Sequence, residues 1–330
     1  MTKVIVTGAA GYIGGTICIE LKRKGYTVVG IDRRPLPDNL TEYCDSFIEC
    51  DFVDFDSLAQ IKEQPLAIIH CAGTSLVGPS IANPEEYYNN NVSKTLKYIS
   101  FIKAHSPDTK FIFSSSASVY GDPLVSNLID ETFPTKPISP YGESKLMTEM
   151  MLKSFNQAYG LKYVSFRYFN ACGAVANGIH GQEPDATHIF ARLFNALENK
   201  EPFMLYGNDY PTEDGSCVRD YIHVTDIANA HILAIEKDIT GIYNIGSDKG
   251  YSNLEIISAV RRWCKHIGSI SVDNTARREG DPAYLIANPN KLKNDTGWIA
   301  ENNLQNIIKD LYDWYSSANY AKRPKAIIPL

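Results

Sequence analysis

The chain has 330 residues, of which 44% are hydrophobic and 21% charged, a composition typical of a globular protein. Its formal net charge of −6 argues against a surface that coats nucleic acid. The seven cysteines are scattered, the N-terminus reads as a strand rather than a signal peptide, and no apolar run is long enough to cross a bilayer. We therefore expect a soluble, cytoplasmic protein with no nucleic-acid or membrane partner.

The first half of the chain alternates short β-rich runs with helical patterns. The near-continuous Val and Ile runs predict a parallel α/β sheet covered on both faces, and right-handed crossovers make it a doubly wound, Rossmann-like sheet. The predicted strands are Lys3–Val6, Thr27–Asp32, Phe47–Cys50, Ala67–Cys71, Lys110–Ser114 and Tyr163–Phe169. The predicted helices are Tyr12–Lys24, Asp56–Lys62, Pro84–Ala104 and Pro140–Tyr159.

This alternation ends near residue 172. We expect residues 1–172 to form the Rossmann-like domain and residues 173–330 to form mainly a smaller, loop-rich lobe, with a segment near 220–247 returning to the first domain. The elements predicted for this half are loops at Gly173–Pro184 and Gly207–Gly215, helices at Thr187–Asn199 and Asn253–His266, and a strand at Gly241–Gly246.

A glycine-rich turn, Gly8-Ala9-Ala10-Gly11-Tyr12-Ile13-Gly14, follows the first predicted strand and opens the first helix. Its glycines permit a tight turn, the close approach of a pyrophosphate and close packing of helix on strand. The helix N-terminus adds N–H donors for phosphate oxygens. The Gly-x-x-Gly-x-x-Gly spacing differs from the commoner Gly-x-Gly-x-x-Gly, and such a turn can also be purely structural.

Carboxylates at strand ends extend this pattern. Asp32 ends the second strand, where it can bond an adenosine ribose and would repel a 2′-phosphate, which favours NAD over NADP. Arg33 and Arg34 could accept that phosphate, although solvated loop arginines are the simpler interpretation. Asp51 either contacts the adenine amino group or caps the next helix. The remaining residues predicted at this edge are Phe52 and His70-Cys71-Ala72-Gly73.

Two segments carry groups that can move protons. Ser139–Lys145 opens a helix and sets Tyr141 and Lys145 four residues apart, on one helical face. A nearby ammonium lowers the pKa of a tyrosine below its usual value of about 10, which makes the phenol a possible base. Ser116, at the end of the fifth strand, could share the proton. Both patterns also have plain explanations, since Tyr-x-x-x-Lys arises by chance and strand-end serines often bond their own backbone.

Other catalytic patterns are absent from the sequence. It contains no Gly-x-x-x-x-Gly-Lys-Ser/Thr loop, no Gly-x-Ser-x-Gly elbow and no histidine pair with metal-ligand spacing. We therefore expect neither a P-loop enzyme, nor a serine hydrolase of that type, nor a metal site.

The motifs together resemble the extended short-chain dehydrogenase/reductase family, and within it most closely the UDP-sugar 4-epimerases. The resemblance runs along nearly the whole chain, and its Pro-Thr-Glu-Asp-Gly…Arg-Asp-Tyr-Ile-His block is specific. The segments that carry it are Gly8–Gly14, Tyr87–Val92, Phe113–Gly121, Ser139–Lys145, Arg167–Asn170, Tyr206–Asp226 and Arg277–Asp281.

The resemblance implies a tightly held NAD and a reversible oxidation at sugar C4 that interconverts UDP-glucose and UDP-galactose. Tyr141, with Ser116, would remove the proton of the 4-hydroxyl, and Lys145 would lower the tyrosine pKa and bond the nicotinamide ribose. The expected cofactor contacts are Gly8, Gly11, Tyr12, Ile13, Gly14, Asp32, Arg33, Asp51, Phe52, Cys71, Ala72, Gly73, Asn91, Ser114, Tyr141, Lys145 and Tyr168.

The resemblance also implies a UDP-sugar site and a homodimer joined through the helices Pro84–Ala104 and Pro140–Tyr159. Arginine forks suit a diphosphate, and Tyr206 would pack either on the uracil or in the core. The expected substrate contacts are Ser116, Tyr141, Asn170, His188, Ile189, Tyr206, Arg219, Tyr221, Arg278, Asp281 and Tyr284.

Two positions depart from the family pattern. Ser75 stands where some members carry a cofactor-contacting lysine, which bears on NAD affinity. Thr187-His188-Ile189 replaces the Asn-Asn-Leu of some members, so we expect a backbone contact at His188 rather than a side-chain contact. A bulky Tyr284 is expected to narrow the pocket beside sugar C2 and disfavour N-acetylated sugars.

Related activities remain as alternatives. The family's 4,6-dehydratases and decarboxylases place acidic residues where this chain has Ala117 and Ser118, which cannot act as acids or bases on a sugar. A non-catalytic dinucleotide sensor would need the glycine turn but neither Tyr141 nor Lys145. An epimerase therefore explains more of the sequence than either alternative.

Overall fold

A computed structural model describes residues 2–61, 63–123, 128–183, 187–264, 270–278 and 281–322. A few sequence predictions touch positions outside these ranges. They are the helix end at Lys62, the loop end at Pro184, the helix end at 265–266, and Glu279-Gly280 of the Arg277–Asp281 segment.

The strands of the described chain, numbered β1 to β13, are Lys3–Thr7, Thr27–Asp32, Ser46–Glu49, Ala67–His70, Lys110–Ser116, Tyr163–Tyr168, Asn170–Cys172, Phe203–Tyr206, Val218–His223, Gly241–Ile245, Gly250–Ser252, Val272–Thr275 and Tyr284–Leu285. The α-helices, α1 to α12, are Tyr12–Arg23, Phe55–Leu58, Val77–Ala82, Pro84–Tyr87, Lys94–His105, Pro140–Tyr159, Ile189–Asn199, Val224–Glu236, Asn253–Trp263, Asn290–Thr296, Leu304–Tyr315 and Ala318–Ala321.

The larger sheet confirms the predicted doubly wound fold. Within the described residues it has seven parallel strands in the order β10-β6-β5-β4-β1-β2-β3. The order reverses at β1, whose neighbours are β2 and β4, and such a reversal opens a ligand crevice at the carboxyl ends of the strands. The predicted strand at Gly241–Gly246 is also confirmed, because β10 joins this sheet beside β6.

Both faces of this sheet are covered, as its continuous apolar strands require. Alternate side chains of a strand point to opposite faces. Val4 and Val6 therefore pack with Ile17 of α1 and Ile227 of α8 on one side. Ile5 packs with α5 and α6 on the other side.

Helix α6 matches its predicted bounds because strong local signals begin and end it. The Ser139 hydroxyl accepts a hydrogen bond from Gly142 N, Pro140 occupies the first turn, and Gly160 ends the helix in the left-handed conformation. Two other predicted helices differ. Pro84–Ala104 is divided by a π-helical turn over Tyr88–Ser93, and the helix expected over Asp56–Lys62 is the single turn α2.

The second lobe has small sheets and its own core. Strand β9 lies between β11 and β13 and also pairs with β7, while β8 pairs with β12. Helices α7, α9 and α11 enclose a cluster that includes Leu193, Ile256 and Leu311. Among the described residues, no helix is both long and apolar enough to span a membrane.

Candidate active site

A cavity of about 580 Å³ opens at the carboxyl ends of β1, β2, β4 and β5. Every predicted cofactor contact except Asn91 lines it, and so does His188 from the second lobe. The cavity therefore lies at the crevice that the strand order predicts.

The glycine turn forms one wall of this cavity through close backbone packing. Gly8 has φ +74°, and an added Cβ there would lie 2.8 Å from Ala72 N. An added Cβ at Gly14 would lie 2.1 Å from Gly8 O. Because Gly11 has no side chain to cap α1, the first N–H groups of the helix remain available to phosphate oxygens.

Asp32 is held at the end of β2 by the turns around it. Its carboxylate accepts hydrogen bonds from Ala10 N and from Arg34 N, each at 3.0 Å. The Arg34 guanidinium forms an ion pair with Glu183 at 2.6 Å, and its Nε lies 3.7 Å from Asp32 Oδ1. Arg34 is thus an exposed loop arginine, as the simpler interpretation predicts, and it pairs there with two carboxylates.

Asp51 contacts a lysine that the sequence analysis missed. Lys94 Nζ lies 2.7 Å from Asp51 Oδ2 and also lines the cavity. The alternative role of Asp51 as a helix cap is wrong, because Asp54 caps α2 by accepting from Ser57 N.

Lys94 is the last of three polar residues that are spaced four apart in the sequence. Glu86, Asn90 and Lys94 follow one another at intervals of four residues and all line the cavity. That spacing, within the predicted helix Pro84–Ala104, is the signal that could have identified them. Ser75 lines the cavity as well.

Asn91 lies behind the cavity wall. Its Oδ1 accepts from Thr74 N at 2.8 Å, and its Nδ2 donates to Thr74 O and to Ser144 Oγ, each at 3.0 Å. The side chain is buried. Its amide therefore fastens the loop after β4 to α6, and the cofactor contact expected for Asn91 stays a prediction.

Tyr141 and Lys145 lie together on α6, as their spacing predicts. Lys145 Nζ is 5.7 Å from the centroid of the Tyr141 ring and donates to Ser114 O at 2.9 Å. Burial lowers the pKa of Lys145 to about 8. Burial also raises the pKa of Tyr141, while a hydrogen bond with Ser116 acts in the opposite direction. The direction for Tyr141 is the reverse of the prediction, because the ammonium points at a strand carbonyl and burial disfavours the phenolate.

For Ser116 the sequence left two roles open, bonding the local backbone and sharing a proton with Tyr141. Its hydroxyl accepts from Ser118 N at 3.2 Å and donates to Ser118 Oγ at 3.1 Å, which caps the short helical turn Ala117–Tyr120. It also acts on the Tyr141 phenol, whose pKa it lowers. The backbone role is therefore confirmed, and the hydroxyl still reaches the tyrosine.

Hydroxyl groups of Ser114 and Tyr168 form a connected set of polar contacts at the cavity wall. Ser114 Oγ donates to Cys71 Sγ at 3.1 Å and lies 2.9 Å from Tyr168 Oη. Tyr168 Oη in turn lies 2.8 Å from His231 Nε2. This chain of contacts fixes Cys71, Ser114 and Tyr168 on three neighbouring elements at the cavity wall.

The other residues predicted to bind substrate lie mainly in the second lobe. Arg219 forms an ion pair with Asp281 at 3.3 Å, and the Arg278 guanidinium lies 4.1 Å from the centroid of the Tyr206 ring. The remaining predicted contacts lie on elements near these arginines. Asn170 donates to Asp220 O, Ile189 begins α7, and Tyr284 is in β13, which pairs with β9.

Tyr221 is not presented to the cavity. Its side chain is buried, packs edge-on against Phe190 and donates to Asn253 Oδ1 at 3.3 Å. These contacts assign it to the core of the second lobe. The substrate contact expected for Tyr221 stays a prediction.

Among the described residues, no group of three or more His, Cys, Asp and Glu side chains could hold a metal ion. The donors at the cavity instead suit a dinucleotide. The backbone N–H groups at the start of α1 suit a pyrophosphate, and the Asp32 carboxylate suits a ribose.

Fold and site together define a dinucleotide-dependent enzyme of the Rossmann type. The profile of the NAD dependent epimerase/dehydratase family matches residues 4–246, and the chain belongs to this family.

Relatives match over nearly their full length. The chain is 40% identical over 323 residues to a UDP-glucose 4-epimerase of Halalkalibacterium halodurans, covering 94% of this chain and 95% of that protein. It is 38% identical over 337 residues to the UDP-glucose 4-epimerase of Homo sapiens, covering 94% and 96%. The crystal structure of the Bifidobacterium longum UDP-glucose 4-epimerase, in complex with NAD+ and UDP, superposes with a TM-score of 0.88 at 34% identity, covering 97% and 99%.

Proposed function

We propose that this protein is an NAD-dependent epimerase that interconverts UDP-glucose and UDP-galactose by a transient oxidation at sugar C4. The observation that carries the proposal is that Tyr141 and Lys145 line the cavity together, with Ser116 acting on the phenol and no carboxylate at Ala117 or Ser118. An acid at either place would support dehydration or decarboxylation. Its absence favours a reaction that only moves one proton and one hydride.

Each residue of this group has a defined task in the proposal. Tyr141 takes the proton of the 4-hydroxyl, and Ser116, which lowers the pKa of the phenol, favours the phenolate that must form. Lys145 bonds the nicotinamide ribose and brings positive charge within 5.7 Å of the tyrosine ring. When bound, NAD accepts the hydride from C4 and returns it to the same carbon.

The nucleotide sugar is assigned to the face between the two lobes. Arg219 and Arg278 would hold the diphosphate, because guanidinium groups match its oxygens. Asp281 already orients Arg219 through their ion pair. Asn170, His188, Ile189 and Tyr206 complete the predicted nucleotide contacts. Tyr284 beside the sugar would favour UDP-glucose and UDP-galactose over the N-acetylated pair.

We further propose a cytoplasmic homodimer. All seven cysteines are free, which suits a reducing compartment. Helices α5 and α6 expose Leu96, Met147, Met150 and Tyr159, with exposed fractions of 40%, 42%, 62% and 60%. Because these side chains form an apolar surface on adjacent helices, a second copy of the chain packed on them would remove it from water.

The test is to incubate the purified protein with UDP-galactose without added cofactor. Formation of UDP-glucose, separated by ion-exchange chromatography, is expected and would identify the reaction and the tightly held NAD together. No product even after addition of NAD would contradict the proposal. A parallel reaction with UDP-N-acetylglucosamine tests the sugar preference, and equal turnover would contradict the role given to Tyr284.

A further inference from the structure

Besides Arg219 and Arg278, a third arginine, Arg192, lies close to the predicted substrate contact Tyr206. No sequence motif indicated this residue. Arg192 is on α7, one turn after His188, and its N donates to His188 O at 3.0 Å. Residues four apart share one face of a helix. Because His188 lines the cofactor cavity, Arg192 lies on the side of α7 that leads from this cavity toward Tyr206.

Arg192 and Arg278 meet at the same aromatic ring. The two guanidinium groups lie 5.0 Å and 4.1 Å from the centroid of Tyr206. The Arg192 guanidinium also lies 5.3 Å from the ring centroid of Phe203, so a second aromatic ring helps to hold its position. Burial and the charge of Arg278 both lower the pKa of Arg192, which indicates that the two cations are close together.

The positive charges of this pair are not balanced by neighbouring carboxylates. In the described part of the chain, no carboxylate lies within ion-pair distance of Arg192 or Arg278, whereas Arg219 is paired with Asp281. Aromatic rings attract cations but do not neutralise them. Two adjacent, uncompensated guanidinium groups suit a ligand that carries two ionised oxygens close together.

We propose that Arg192 is a further anion-binding residue of the nucleotide-sugar site and contacts the diphosphate together with Arg278. The proposal rests on the proposed function, since it takes the ligand to be a UDP-sugar. Arg192 is remote from Tyr141 in its contacts, and its task is recognition. It thus determines affinity for the diphosphate and leaves the proton transfer unaffected.

The experiment compares UDP and uridine as ligands of the purified holoprotein by isothermal titration calorimetry. In Arg192→Gln, loss of one charged contact is expected to weaken UDP binding about tenfold or more, with uridine binding unchanged. Arg277→Gln is the matched control. Arg277 also lies over a tyrosine, 4.3 Å from the Tyr210 centroid, but it is paired with Asp209 at 2.7 Å, and its loss should leave the affinity for UDP unchanged.

Arg192→Met provides a second variant that removes the charge and keeps an unbranched stem against Phe203, should Arg192→Gln fail to fold. UDP affinity within twofold of wild type in the folded variant would overturn the proposal. Equal weakening of UDP and uridine would also overturn it, because the contact would then be with the nucleoside. Failure of the wild-type holoprotein to bind UDP would contradict the proposed function itself.

Discussion

Glu149 and Arg167 form a buried ion pair behind the cavity, with Arg167 Nη2 2.7 Å from Glu149 Oε2 and side chains only 1% and 4% exposed. Glu149 lies one turn after Lys145 on α6, and Arg167 is in β6. Ser115 of β5 donates to the same carboxylate at 2.6 Å. The pair therefore fastens the helix that carries Tyr141 and Lys145 to the two strands beneath it.

Removing the negative partner should be costly. In Glu149→Gln the Arg167 charge remains buried without compensation, so we expect a loss of about 3–5 kcal/mol in the free energy of unfolding, measured by urea denaturation. Glu20→Gln is the control, since Glu20 pairs with Arg23 at 2.6 Å at the surface and should contribute less than about 1 kcal/mol. Similar losses in both variants would contradict the role of the buried pair.

Tyr141→Phe removes the proposed base and keeps the ring. Turnover of UDP-galactose is expected to fall by about 10²–10⁴-fold, with the content of bound NAD and the thermal midpoint nearly unchanged. Tyr159→Phe, at the exposed end of the same helix, should retain wild-type turnover. Nearly normal turnover in Tyr141→Phe would exclude the phenol as the base.

Ser116→Ala should change the pH dependence of the reaction. The Ser116 hydroxyl lowers the pKa of Tyr141 against the larger effect of burial, so its removal should raise that pKa further. Because the base acts deprotonated, the ascending limb of kcat/KM should move to higher pH, and the rate at pH 7 should fall about tenfold for each pH unit that the limb moves. An unchanged limb in Ser116→Ala would contradict this role. Ser118→Ala leaves the Ser116 hydroxyl in place and is the matched control.

The sequence predicts the elements whose signals are local. Buried strands such as Lys3–Thr7 show as apolar runs, and α6 has its cap, its proline and its final glycine in the sequence itself. The helical stretch predicted over Pro84–Ala104 is confirmed, but the π-turn within it over Tyr88–Ser93 is not predicted. That turn presents Asn90 and Asn91 to Thr74, contacts between distant parts of the chain that periodicity does not contain.

In the site, too, features with local sequence signals are predictable and features that depend on long-range packing are not. Many of the residues that line the cavity follow from motifs at strand ends, which the topology brings to one edge, whereas Glu86, Asn90 and Lys94 do not. The pKa of Tyr141 depends instead on burial and on where Lys145 points, and its direction is therefore not predictable from their spacing. Arg192 belongs to no motif, and its relation to Tyr206 exists only in the folded lobe.

Asp32→Asn should reduce the preference for NAD over NADP. Asp32 would repel a 2′-phosphate, and together with Glu183 it neutralises Arg34. Amidation removes the repulsion and frees part of the Arg34 charge, while an oxygen remains for the hydrogen bond from Ala10 N. Protein stripped of nucleotide and reconstituted with each cofactor should show a ratio of NAD to NADP affinity at least about tenfold lower than wild type, a difference of about 1.4 kcal/mol. Asp38→Asn, a neighbouring surface carboxylate, should leave the ratio unchanged, and an unchanged ratio in Asp32→Asn would exclude Asp32 as the selective residue.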